Sequence, residues 1–153
     1  MTAGLYFIVV TNQGSSNVSV YSENGDGSLA QVSGSPFATG AKPSSSTSFR
    51  TPKVNFIYVT NFGSNTISGY TLDPMTGIVS PMSGSPFPAE SGPVSIALDF
   101  AWVYVASQGS NNLAEYTLAG SGGALVSVPG SPFPVGTSPD QVFFLGQAPV
   151  PTQ

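Results

Sequence analysis

This sequence of 153 residues is about one domain long, and its 40% hydrophobic content is enough to build a core although only 7% of residues are charged. The formal net charge is −4, and the three cations, Lys42, Arg50 and Lys53, cannot neutralise a run of phosphates, which excludes nucleic acid as a partner. The lack of Cys rules out disulfides and thiolate metal sites, and the lack of His removes the commonest general base and metal ligand.

Leu5-Tyr6-Phe7-Ile8-Val9-Val10 is an apolar run without alternation, which predicts a strand buried on both faces. Asn12-Gln13-Gly14 then predicts a hairpin turn, because Asn and Gly tolerate positive φ. A second strand covers 18–21, an outer turn follows at Glu23-Asn24-Gly25-Asp26-Gly27, and a short third strand covers 29–32. Gly34-Ser35-Pro36-Phe37 comes next, then a loop. The segment 43–49 is a run of hydroxyl residues without alternation of small and apolar side chains, so it reads as a poor strand.

The same order returns twice. Val10-Thr11-Asn12 is followed 49 residues later by Val59-Thr60-Asn61, and after another 46 by the degraded Val105-Ala106-Ser107. Gly-Ser-Pro-Phe recurs at Gly34, Gly84 and Gly130, in steps of 50 and 46. A fixed period of about 40–50 residues predicts propeller blades of four antiparallel strands, named here A (innermost) to D (outermost). Position B is 5–10, 56–59 and 102–105; position C is 18–21, 67–72 and 113–118; position D is 29–32, 78–82 and 125–128. Pro81 and Pro129 lie in or beside D, where proline is tolerated because an edge needs no ladder donor. Residues 94–98 alternate small and apolar side chains, as expected at A, and 141–145 predicts a further A strand. The chain therefore reads BCD-ABCD-ABCD-A, two complete blades and one split between the ends. Residues 1–146 are expected to be one three-repeat segment (about 5–49, 50–98 and 99–146), with 147–153 a disordered tail.

Ile57-Tyr58-Val59-Thr60-Asn61, then Gly63-Ser64-Asn65 and the closing Gly-Ser-Pro-Phe, resembles the YVTN-type β-propeller repeat. The resemblance runs from about Phe7 to Leu145 and places the chain near propellers described as lactonase-like, 6-phosphogluconolactonase-like or surface-layer-like. It implies blade architecture, while activity has to come from a site. Related propellers are often secreted or periplasmic. This chain shows no basic n-region before residues 5–10, a run too short for a signal peptide, and no apolar stretch of the roughly 18–20 residues that cross a bilayer. No membrane span is expected, and the compartment is left open.

The conspicuous side chains read first as structure. Tyr21, Tyr70 and Tyr116 recur at one place in C and are expected to fill the gap between blades; Phe37, Phe87 and Phe133 are expected to act as plugs. Residues 23–27 are too short for a calcium loop, and Asn17-Val18-Ser19 is a glycosylation sequon on an expected strand. Ser44-Ser45-Ser46 has no His base and no nucleophile elbow, although Lys42 or Lys53 could in principle serve as a base. Lactone hydrolysis requires an activated water and a positive group or metal facing the oxyanion. The seven carboxylates are scattered, with Glu90 in a D–A loop and Asp140 at the start of the last A segment, while Arg50 belongs to the opposite face.

Two functional readings follow. The first is a non-catalytic propeller module that binds a small-molecule or protein ligand through the B–C and D–A loops, with Gln13, Phe62, Gln108, Lys42 and Glu90 as ligand-binding candidates. The alternative is a lactonase or other hydrolase with its site at the channel mouth of the assembled propeller. No catalytic residue, metal ligand or cofactor is assigned. Three blades fall below the usual four to eight of a closed ring, so the expected partner is a second copy of the chain, the competing account being a fragment of a longer propeller with about seven blades. In that homodimer each spare A strand completes the partner's first blade, giving six blades in all.

Overall fold

The computed structural model describes residues 6–99 and 101–145; Leu5 of the first expected strand and the expected tail 147–153 lie outside them. The fold is all-β, with three antiparallel sheets arranged as blades. Blade 1 holds β1 (Tyr6–Asn12), β2 (Asn17–Glu23), β3 (Leu29–Gln31) and the two-residue β4 (Phe37–Ala38). Blade 2 holds β5 (Pro43–Arg50), β6 (Asn55–Asn61), β7 (Thr66–Leu72), β8 (Val79–Pro81) and β9 (Phe87–Pro88). Blade 3 repeats that order with β10 (Pro93–Asp99), β11 (Trp102–Ser107), β12 (Asn112–Ala119), β13 (Ala124–Ser127) and β14 (Phe133–Pro134).

Each blade runs A–B–C–D in ladder order, with blade 1 entering at B. The Gly-Ser-Pro-Phe motif has a mechanical reason. The D strand stops after three or four residues, and the chain turns through a glycine at φ 83, 81 or 90 and a cis Ser–Pro bond. The motif's serine hydroxyl then accepts a C-strand N–H that has no partner in D: Val20 to Ser35 and Gly69 to Ser85 at 2.9 Å, and Glu115 to Ser131 at 2.8 Å. Its Phe opens a two-residue strand that rejoins the same C strand, β4 on β2, β9 on β7 and β14 on β12. These short strands extend the edge beyond the D position and were not expected from the sequence.

Two further differences concern the A position. The serine-rich segment 43–49 is a full strand, not a poor one, paired with β6 along its length apart from a bulge at Ser44. Ser44 Oγ donates to the carbonyl of Pro93 at 2.7 Å, tying the start of β5 to the start of β10. Segment 141–145, expected as a strand, joins no ladder among the described residues, although Val142 N donates to Ser95 Oγ at 3.1 Å.

The core lies between the blades. Blade 1 presents Val18 and Val20, with Phe7, Val9, Val32 and Phe37 around them, to Ile57, Val59, Tyr70, Leu72 and Val79 of blade 2. Blade 2 presents Phe56, Tyr58, Ile67, Met82 and Phe87 to Val103, Val105, Tyr116 and Leu125 of blade 3. β6 therefore buries both faces, as an unbroken apolar run requires. β1, expected to be covered in the same way, has no fully buried residue and exposes Tyr6 and Val10, because blade 2 covers one of its faces and no described blade covers the other. The recurrent tyrosines lock these joints through main-chain oxygens. Tyr70 Oη donates to the carbonyl of Ala38 on the preceding blade, and Tyr116 Oη to that of Pro88 at 3.2 Å. Burial, helped by the neighbouring Glu90 carboxylate, pushes the Tyr116 phenol up to about 12.

Candidate functional site

All the B–C turns and D–A loops lie on one face, because the main chain ties each turn to the loops beside it. Thr39 N donates to Ser16 O at 3.1 Å, Ala89 N to Asn65 O at 3.0 Å and Val135 N to Asn111 O at 3.1 Å. The residue before each loop proline has a left-handed backbone: Lys42 at φ 51, Gly92 at φ 63 and Ser138 at φ 54. Asparagines from the turns cap two of these residues. Asn65 Oδ1 accepts Gly92 N at 2.9 Å, and Asn111 Oδ1 accepts Ser138 N at 2.8 Å. The equivalent residue in blade 1 is Ser16, whose side chain is shorter, and it makes only the main-chain contact to Thr39.

The five ligand candidates all fall on this face, in different settings. Gln13 is exposed at the tip of its turn, and Gln108 is half-buried with its N–H donating to Gly92 O at 2.8 Å. Phe62 is half-buried and packs onto the next blade: a Cβ added at Gly92 would stand 3.2 Å from Phe62 Cε2. Lys42 is exposed, and its carbonyl accepts Phe62 N at 2.9 Å. Glu90 is half-buried, accepts from Asn112 Nδ2 at 3.4 Å, and borders a cavity of about 180 Å³ with Tyr116, Phe87 and Ser131. That is below the roughly 300–1,000 Å³ of a small-molecule site, so this cavity is not a complete one by itself. Lys42 and Phe62 are brought together across the joint of blades 1 and 2; Glu90 stands at the next joint.

Charge is segregated between the two faces. Lys42, Glu90 and the exposed Asp140, just past the third loop, share the loop face. Arg50 ends β5 at the opposite face, its guanidinium carbon 5.8 Å from the centre of the Tyr6 ring. Lys53 lies on that side too, at the rim of a cavity of about 370 Å³ lined by Phe49, Val54, Phe56 and Leu118. Among the described residues, no three His, Cys, Asp or Glu side chains gather where they could hold a metal ion. Asp26, in the turn read as too short for a calcium loop, accepts from Ser28 Oγ and Ser28 N at 2.6 and 2.9 Å, which holds its carboxyl below the usual range. No helix among the described residues is long and apolar enough to cross a membrane.

Sequence reasoning missed Ser44, whose bulged position is set by tertiary pairing, and the caps Asn65 and Asn111. The caps did carry a signal: each is the fourth residue after the end of its B strand, at φ 55 and 53.

No family model matches the chain, and no curated protein matches it. Solved structures do. A proposed 6-phosphogluconolactonase from Bacteroides fragilis aligns with a TM-score of 0.76 at 14% identity, over 88% of this chain and 37% of its own. The periplasmic gluconolactonase PpgL of Pseudomonas aeruginosa aligns at 0.68 and 21%, over 88% and 38%. A protein of unknown function from Desulfotomaculum acetoxidans aligns at 0.66 and 19%, over 82% and 37%. The chain thus shares the fold of lactonase-like propellers and spans well under half the length of each.

Proposed function

We propose that this chain is three YVTN-type blades of a lactonase-like propeller, which hydrolyses a cyclic ester at the channel mouth once a second copy completes the ring. The observation that carries this reading is the fold shared with chains named as lactonases, at TM-scores of 0.76 and 0.68. It favours the hydrolase alternative over the non-catalytic binding module. The charge pattern supports the choice of face. Among the described residues Lys42 is the cation of the loop face, and in this reading it would stabilise the oxyanion that forms when water adds to the lactone carbonyl. Glu90 or Asp140 would take the proton from that water, and the ring C–O bond then breaks, with the alkoxide receiving a proton to give the hydroxy acid. Gln13, Phe62 and Gln108, at matching turn positions, would line the mouth and orient the ring.

The test is turnover of a panel of five- and six-membered aldonolactones by the purified chain, followed by proton release, with and without divalent cations. Hydrolysis lost in both Lys42→Met and Glu90→Gln, with unchanged far-ultraviolet spectra, is the expected result. No turnover above background across the panel would overturn the hydrolase reading. Saturable binding of the same lactones without turnover would return the chain to the binding-module class, with Phe62 as its stacking residue.

A further inference from the structure

Asn24 is followed by Gly25, and none of the other seven asparagines of the sequence precedes a glycine. The pair opens the C–D hairpin of blade 1, where every residue from Asn24 to Ser28 is exposed. That exposure does not come from the place of blade 1 in the chain. Asp73 takes the same position in blade 2, its N–H donating to Ile78 O at 3.0 Å as Asn24 N donates to Ser28 O at 2.8 Å. Asp73 is exposed too, although blade 1 packs on that hairpin, with the Phe7 ring against Gly77.

The bonds of the turn leave one main-chain nitrogen open. Gly27 N donates to Asn24 O at 2.9 Å, Asn24 Nδ2 to Ser28 Oγ at 2.9 Å, and Ser28 N and Oγ both to Asp26 Oδ1. Gly25 N stands outside this set, and a Cβ added at Gly25 would meet nothing within 4 Å. With no side chain of its own, Gly25 lets the side chain before it come onto its nitrogen. Asp26-Gly27 is the other pair of this kind, and it is held back. Ring closure there needs a neutral carboxyl, whereas the two Ser28 bonds favour the charged Asp26. Elsewhere, Asn12 and Asn61 are clipped to the strands after their turns, and Asn65 and Asn111 are committed as caps.

We infer that Asn24 is a self-modifying site, deamidated through its own main chain, and that Ser28 is the latch that sets its rate. Asn24 Nδ2 leaves Ser28 Oγ, and Cγ turns towards Gly25 N. That nitrogen loses its proton and attacks Cγ, as a neighbouring group held in place does readily. The new N–C bond closes a cyclic imide, the Cγ–Nδ2 bond breaks, and ammonia leaves with the proton. Water then opens the imide at either carbonyl. One product is aspartate, the residue type that blade 2 already carries here as Asp73. The other is a β-linked aspartate, whose main chain runs through the former side chain and is one carbon longer, which takes β3 out of register with β2. Both add one negative charge to the hairpin. The site is separate from the loop face and from the hydrolase reading.

The test keeps the folded chain in warm, mildly alkaline buffer and follows it by peptide mass spectrometry and isoelectric focusing. Asn24 should lose its amide before any other asparagine, with a new band one charge more acidic. An isoaspartyl methyltransferase should label the modified residue 24. Asn24→Gln and Gly25→Ala should each lose the new band. Ser28→Ala should speed the reaction about two- to tenfold, the worth of one hydrogen bond, and should raise methyl labelling at Asp26 above background. An Asn24 that keeps its amide while other asparagines change, or an unchanged rate in Ser28→Ala, would overturn the inference. No readout involves lactone turnover, so failure here and failure of the hydrolase reading are told apart.

Discussion

Tyr58→Phe removes one oxygen from the joint of blades 2 and 3 and tests whether main-chain carbonyls lock the blades together. Tyr58 is fully buried, and its hydroxyl donates to the carbonyl of Gly123 at 2.6 Å. The phenyl ring of the variant fits the same space, so the loss is the hydrogen bond and the carbonyl left buried without it. That costs about 1–3 kcal/mol. In a chain of this size each kcal/mol moves the melting temperature by about 2–4 °C, which predicts a drop of a few degrees up to about 10 °C. The pH dependence sharpens the test. Burial raises the Tyr58 phenol above its ordinary value near 10, so between that value and the folded one the unfolded chain releases a proton that the folded chain keeps. The protonated phenol's contribution is therefore complete below about pH 10 and lost as pH climbs towards the folded value, at no more than about 1.4 kcal/mol per pH unit. The phenyl ring of the variant has no such proton, while Tyr70 and Tyr116 remain in both proteins. Urea unfolding of the two at pH 7 to 11 should show a gap that is constant to about pH 10 and narrows above it. Equal stability at pH 7, or parallel curves through pH 11, would refute the reasoning.

The third B–C clip can be rebuilt. In blade 2, Asn61 Nδ2 donates to Thr66 Oγ1 and Ser68 Oγ, and in blade 1 Asn12 Nδ2 donates to Asn17 Oδ1 and Ser19 Oγ, all within 3.0 Å; blade 3 carries Ser107 and Ala114 at those places, and Ser107 Oγ is buried without a hydrogen-bond partner among the described residues. Ser107→Asn with Ala114→Ser should stabilise by about 0.5–1.5 kcal/mol, more than the two single changes together, as read by a double-mutant cycle in urea. At acid pH the C–D hairpin of blade 2 should give way early: Asp73 accepts Met75 N and Thr76 N at 2.8 and 3.0 Å, which lowers its pKa. Its contribution is present above the unfolded value near 3.9 and fades as pH falls through the lower folded value, so the melting-temperature gap between the chain and Asp73→Ala should close on acidification below pH 4.

The period of Gly-Ser-Pro-Phe and the apolar B runs made the blades legible, because both follow from local chemistry: a turn that needs glycine, and a strand covered on both sides. β5 was not legible. Its Ser-Ser-Ser-Thr-Ser run has no apolar face to alternate, and its strand form comes from pairing with β6 and from Ser44 reaching β10. β4, β9 and β14 are two residues long, below any periodic signal. The tyrosine locks were seen as fillers only, since their acceptors are main-chain oxygens that leave no trace in side-chain sequence. At the candidate site, the matching places of Gln13, Phe62 and Gln108 were legible from the turns. The distance between Lys42 and Glu90 along the rim was not, because it depends on the fan of blades about the axis rather than on any one repeat.

The joints lean on carbonyl oxygens of Ala38, Pro88 and Gly123, together with one glycine where an aromatic ring lands. Every residue owns a carbonyl, so a blade asks its neighbour for little beyond that glycine and an apolar surface. Blades of such a chain can then drift far apart in sequence and still fit. They can also be duplicated, deleted or exchanged whole without a compensating change next door. A genome could thus arrive at rings of different blade number by copying one unit, and the divergence between the first and third repeats here is what such a tolerant coupling permits.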